Sequence, residues 1–197
     1  MSLPKHKYLL TYRIAEIIHD LTVEFCQRFL VSDLSTLSHL KGIPQRRTID
    51  QMIQAARSGK QNIIEGVSFS RTSKKGEIKL LNVAKSSQEE LLGDYEDFLR
   101  HRNLPIWPKT DEKVLRLKHY CHRISHLSNL SDLGQFKEKP KLPEKAEVAA
   151  NLLLTLCHQE TYLLDRQITK ADETFIKEGG FTENLFKRRV ASKISLK

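Results

Sequence analysis

Apolar residues recur at three- and four-residue steps along most of this 197-residue chain, the spacing that lines one face of a helix. No period-two alternation long enough for a strand interrupts it. Over 10–30, Ile14, Ile17, Ile18, Leu21, Phe25 and Phe29 share one face of a first helix. Asp33, Leu34 and Ser35, then Gly42-Ile43-Pro44, mark a connection. Beyond it Ile49, Met52, Ala56, Gly59 and Ile63 form a narrow seam down a second helix, where Ala56 and Gly59 let a neighbour approach closely. Gly66 is expected to end that helix. A polar turn over 70–75 leads into a third, whose inner face carries Ile78, Leu81, Ala84, Gln88, Leu91, Tyr95 and Phe98.

Pro105 and Pro108 rule out a helix throughout 104–108, and Trp107 is expected to cap the end of the core. Asp111, with Glu112 just inside, is a plausible N-cap for a helix to about 127 with Leu117, Tyr120, Cys121, Ile124 and Leu127 inward. Gly134, Pro140 and alternating Lys and Glu make 128–142 read as a mobile linker. Pro143-Glu144 opens the last long helix, where Val148, Ala149, Leu152, Leu153, Leu156, Tyr162 and Leu163 repeat until Gly179-Gly180 stop it. The expected fold class is all-α, an antiparallel four-helix bundle over 1–178 with an extra short helix, followed by a basic C-terminal extension over 179–197. Segment 111–127 either fills the fourth slot or is that extra helix.

With 33 Lys and Arg against 24 Asp and Glu, the formal charge is +9, which favours polyanionic partners. No apolar run suits a signal peptide or a bilayer span, so a cytoplasmic protein without a membrane is expected. Cys26, Cys121 and Cys157 lie within apolar helical patterns and read as small buried hydrophobes. The chain carries no His-Glu-x-x-His, phosphate-binding glycine loop, nucleophile elbow or carboxylate set with metal-ligand spacing. A non-enzymatic protein with no cofactor and no metal is therefore expected. His119, His122 and His126 share one side of a helix but have no carboxylate or cysteine on their stripe. Glu89, Glu90, Asp94, Glu96 and Asp97 spread around their helix as a solvated face.

Arg46, Arg47, Arg57 and Lys60 lie on the second helix, and Arg71, Lys74, Lys75 and Lys79 cluster around the turn after it. Phosphate binding draws on several cations at once, because affinity comes from releasing many condensed counterions. These eight are the candidate contacts to RNA or DNA, with Arg71, Lys74 and Lys75 foremost. Only Phe69 is interleaved with them, so weak sequence selectivity is expected. The tail carries Lys187, Arg188, Arg189 and Lys193 with no acid after 186, and reads either as a basic or partner-binding arm or as a solvated end.

Asn62-Ile63-Ile64-Glu65-Gly66, then Arg71, Glu77, Ser86-Ser87 and Glu90-Leu91, resemble the Asn-Ile-Ala-Glu-Gly…Arg…Glu…Ala-x-Gly-Ser…Glu-Leu pattern of a family of small four-helix-bundle proteins. That family includes proteins encoded in intervening sequences of bacterial large-subunit ribosomal RNA genes and the accessory protein of diversity-generating retroelements. This chain has Ile64 and Ser86 where the pattern has Ala and Gly. Cys157-His158-Gln159-Glu160-Thr161-Tyr162-Leu163-Leu164-Asp165-Arg166-Gln167, followed by Phe175-Ile176-Lys177-Glu178-Gly179-Gly180-Phe181, resembles the extension of the "four helix bundle suffix" subgroup. The resemblance implies a homo-oligomer, a ring of five subunits with a basic surface, and places Asn62, Glu65 and Arg71 at the subunit contact. The residues alone read Asn62 and Glu65 more simply, as a structural corner at the end of the second helix. It also implies an adapter for a partner enzyme such as a reverse transcriptase, docking through the C-terminal extension.

Overall fold

In a computed structural model, residues 4–31, 43–129, 132–136 and 138–195 are described. The chain folds as an all-α bundle. Its first long helix, α1 (Leu10–Phe25), turns Ile14, Ile17, Ile18, Leu21 and Phe25 inward and runs on through a wider helical turn, Cys26–Val31. Then come α2 (Ile43–Phe69), α3 (Lys74–His101), α4 (Glu112–Ser125), α5 (Ala146–Glu178) and α6 (Phe181–Ser195).

Helix ends follow local chemistry. Ser73 precedes α3 and its hydroxyl accepts from the Gly76 amide at 3.0 Å, while Asp111 accepts from the Lys113 amide at 2.8 Å to open α4. Asn103 closes α3 with φ 53, in the left-handed region, and the Leu104 amide returns to the Leu99 carbonyl at 2.9 Å. Gly179 stops α5 with φ 72.

Helix α1 packs on α2, α2 on α3, α3 on α5, and α5 back on α1. Those four close the bundle, and α4 rests outside on α5 and α1, so the fourth slot belongs to α5 and α4 is the extra helix. Along the α2–α3 hairpin, Gly59 meets Gln88 while Gly66 meets Leu81, so the two helices run in opposite directions.

Two apolar clusters fill the interior. The larger joins Phe25, Met52, Tyr95, Leu99, Leu152 and Leu156 with their neighbours, and the smaller joins Tyr12, Ala15, Ile63, Leu81, Ala84 and Leu164. Phe25 stands edge-on to Tyr95 at 5.2 Å. The Tyr95 hydroxyl lies 2.8 Å from Thr22 Oγ1, which itself donates to the Ile18 carbonyl at 2.6 Å, so this buried phenol is satisfied.

Several expectations change. Helix α2 does not end at Gly66 but continues to Phe69, because Gly66 has helical backbone and packs on α3, with Leu81 Cγ at an ordinary contact distance of 3.5 Å from where a Cβ would stand. In the stretch read as a linker, β1 (Leu127–Asn129) and β2 (Asp132–Phe136) pair as a small antiparallel ladder, Leu127 opposite Phe136. Beyond it Leu142 is buried, and Tyr120 Oη accepts from the Lys141 amide at 2.9 Å. Tyr162, expected inside, faces outward at 59% exposure. Trp107 is only half-buried and does not cap the core. Its amide donates to Asn151 Oδ1 at 2.9 Å and its indole NH to Glu147 Oε1 at 2.7 Å, tying the 104–110 loop to α5. Of the expected break, Asp33, Leu34, Ser35 and Gly42 lie outside the described residues, whereas Ile43 and Pro44 do not break the chain but form the first turn of α2, where proline's missing amide hydrogen costs nothing.

Candidate nucleic-acid interface

The α2–α3 turn is built by hydroxyls. Ser70 Oγ donates to the Val67 carbonyl at 2.7 Å, and the Ser73 amide donates to the Phe69 carbonyl at 2.8 Å. This tight reversal thrusts Arg71 into solvent and starts α3 with Lys75 and Lys79 also exposed. Lys74 differs: its ammonium is 2.9 Å from Glu77 Oε2, and Glu77 is 9% exposed. Lys74 therefore has part of its charge answered within the protein.

The C-terminal extension returns to this turn. Arg71 and Lys74 share a cleft of about 160 Å3 with Asn184, Leu185 and Arg188 of α6, with Glu178 among its walls. Two clusters that are 117 positions apart in sequence, at Arg71 and Arg188, thus meet at one end of the bundle. Lys187, Arg189 and Lys193 are exposed along the same helix, so the extension is helical over 181–195.

The remaining cations do not join them. Helix α2 has 27 residues, a length of about 40 Å, and Arg47 lies near its far end in a groove with Asp50, Glu90, Asp94 and Asp97. Burial, then repulsion from Asp97 and Glu90, raises Asp94 to about 6. That acidic surroundings opposes phosphate at Arg47. Arg57 is exposed midway along α2. Lys60 is half-buried, with Nζ 3.4 Å from His19 Nδ1 on α1. The side chain of Arg46 lies outside the described residues.

Asn62 turns back on its own helix, donating to the Ser58 carbonyl at 2.9 Å and Oγ at 3.2 Å. The corner role falls to Ser70 and Ser73 instead, because α2 runs past Gly66. Glu65 is exposed and some distance short of the turn that holds Arg71. Ile64 packs against the smaller apolar cluster, and Ser86 is exposed.

A polar layer divides the two apolar clusters, and half of it escaped the sequence argument. Gln88 and Glu160 are both 0% exposed, and Gln88 Nε2 and both Glu160 oxygens lack hydrogen-bond partners among the described residues. Gln88 stands on the inner stripe of α3. Glu160 shares the α5 stripe of Leu156 and Leu164, and that four-residue spacing was the signal for its burial. The three cysteines are buried and free, and burial pushes the Cys26 and Cys121 thiols up to about 12.

Rings of His122 and His126 stack at 3.8 Å. No group of three His, Cys, Asp or Glu among the described residues could hold a metal ion. No helix of the described residues is long and apolar enough to cross a membrane. The fold defines a helical-bundle protein. Comparison with protein-family models, with curated proteins and with solved structures gives no match for this chain.

Proposed function

We propose that this protein is a non-enzymatic, homo-oligomeric helical bundle that holds RNA or DNA through phosphate contacts with little sequence selectivity. The observation that carries this reading is the meeting of Arg71 and Lys74 with Arg188 around one cleft, flanked by exposed Lys75 and Lys79. Cations from two elements held at one end of a rigid bundle can displace counterions together, which single scattered charges cannot.

Replacing Arg71→Glu and Lys75→Glu together tests it. Both side chains are exposed, so helicity should persist. Affinity for a short RNA or DNA should fall at least tenfold, and the slope of log affinity against log salt should shrink by about 2, near one unit for each lost phosphate contact. Unchanged affinity and slope would refute the assignment. Light scattering on the same samples reads the oligomer, for which a ring of five is the expectation carried by the family resemblance.

An adapter role for a partner enzyme is a second reading, favoured by a separate observation. Helix α6 leaves Phe181, Leu185, Phe186 and Val190 between 41% and 66% exposed, an apolar investment without a buried face of its own. A chain ending at Gly180 that still retains its partner in a pull-down would refute docking through α6.

A further inference from the structure

On the side of the bundle where α4 rests on α5, a pocket of about 340 Å3 opens between the 104–110 loop and both helices. Val114 and Leu154, 6% and 4% exposed, form its apolar back, and Trp107, Ile106 and Tyr162 stand around it. Two polar side chains of its wall are already engaged: the Asn151 amide donates to the Pro105 carbonyl at 3.0 Å, and Thr155 Oγ1 donates to the Asn151 carbonyl at 2.8 Å. Lys109, Lys118 and His158 also line it, yet their side chains make no hydrogen bond or ion pair among the described residues. Partial burial, Lys109 and Lys118 together outweigh Glu96 and lower the His158 pKa below 6.5. Its ring is therefore neutral at pH 7, free to donate or accept one hydrogen bond.

An apolar back with aromatic sides takes a flat ring, and two unanswered ammonium groups take an anion. Lysine serves phosphate as a point charge, and a double positive charge answers a phosphate monoester better than a carboxylate. The volume lies at the small end of the range for small-molecule sites, enough for one ring with its phosphate and too narrow for a duplex. We propose that this pocket takes a single nucleotide, its base against Trp107 and Tyr162 and its phosphate at Lys109 and Lys118. The nucleotide comes either free or as one unstacked residue of a single strand, and the strand source alone rests on the nucleic-acid reading.

Trp107 is the only tryptophan of the chain, so its emission reports on this pocket directly. The full-length protein is titrated, at low salt, with adenosine 5′-monophosphate, adenosine, inorganic phosphate and a short oligoadenylate. Saturable quenching by the monophosphate, at least tenfold tighter than by adenosine or phosphate, is expected. Lys109→Glu with Lys118→Glu should abolish that preference, and Tyr162→Ala should weaken binding of both monophosphate and adenosine, with the circular dichroism of each variant unchanged. No saturable response to the monophosphate, or equal affinity for adenosine, would overturn the proposal. Quenching by oligoadenylate identifies the strand source, and its absence identifies the free nucleotide. If strands bind by anisotropy while Trp107 responds to nothing, the pocket assignment fails and the phosphate-binding turn stands. Response to the monophosphate without any strand binding gives the opposite result.

Discussion

Glu160 concentrates the tension in this core into one side chain. It is fully buried, and neither carboxyl oxygen finds a hydrogen-bond donor among the described residues. An ionised carboxylate there would be costly, so burial raises its pKa well above 4.5. The sign follows from proton binding. The unfolded chain loses this proton near pH 4.5 while the folded chain keeps it to higher pH, so the folded state binds more protons in between. Stability is greatest below pH 4.5 on this account and declines as pH rises toward the folded value. Glu160→Met, similar in volume and without polar atoms, should stabilise the fold by about 1–3 kcal/mol at pH 7 and remove that decline. Urea unfolding from pH 4.5 upward reads both, and identical pH profiles for the two proteins would contradict the protonated, buried state. Two four-residue steps, Leu156 to Glu160 to Leu164, carried the signal for burial of position 160, although it was not among the residues read as inward. That spacing could not foretell that no donor waits there, since donors come from other helices.

Among elements, the α2–α3 hairpin turns on Gly59. A Cβ there would fall 2.2 Å from Gln88 Nε2, 3.0 Å from its Cδ and 3.4 Å from its Cγ, so the fully buried Gln88 side chain would have to shift within the core. Alanine has the higher helix propensity by about 1 kcal/mol, but overpacking of a closed core costs about 1–3 kcal/mol. Gly59→Ala is thus expected to destabilise, and to become neutral or stabilising in a Gln88→Ala background, a coupling that a double-mutant cycle measures. Gly93 on α3 is the control: nothing lies within 4 Å of its would-be Cβ, so Gly93→Ala should stabilise by about 0.5–1 kcal/mol. Additivity of Gly59→Ala and Gln88→Ala would show that the two helices are not as close as described. The seam of Ala56 and Gly59 was readable from spacing, as was the cap Asp111, while Ser73 stood in the sequence only as part of a polar turn. The end of α2 was not, because a helical glycine and a terminating one are the same letter, and tertiary contact with α3 decides between them.

For the whole molecule, the extension is the part whose role stability can isolate. Phe181, Leu185, Phe186 and Val190 remain 41% to 66% exposed, so little of their burial is lost with it. Removing residues 181–197 should change unfolding free energy by no more than about 0.5 kcal/mol, while nucleic-acid affinity falls with the loss of Arg188. A large fall in stability would make α6 part of the bundle. The sequence by itself determined the all-α class, the inward face of each long helix and most helix boundaries, because period, caps and left-handed glycines act within a few residues. Only the tertiary structure decided that α5 completes the bundle while α4 stays outside. It likewise brought Arg188 beside Arg71, left Arg47 in acidic company, and gathered Trp107, Lys109, Lys118 and His158 about one pocket. A helix's period orients residues about its own axis, but which neighbour they meet depends on packing between segments scores of residues apart, and no local spacing encodes that.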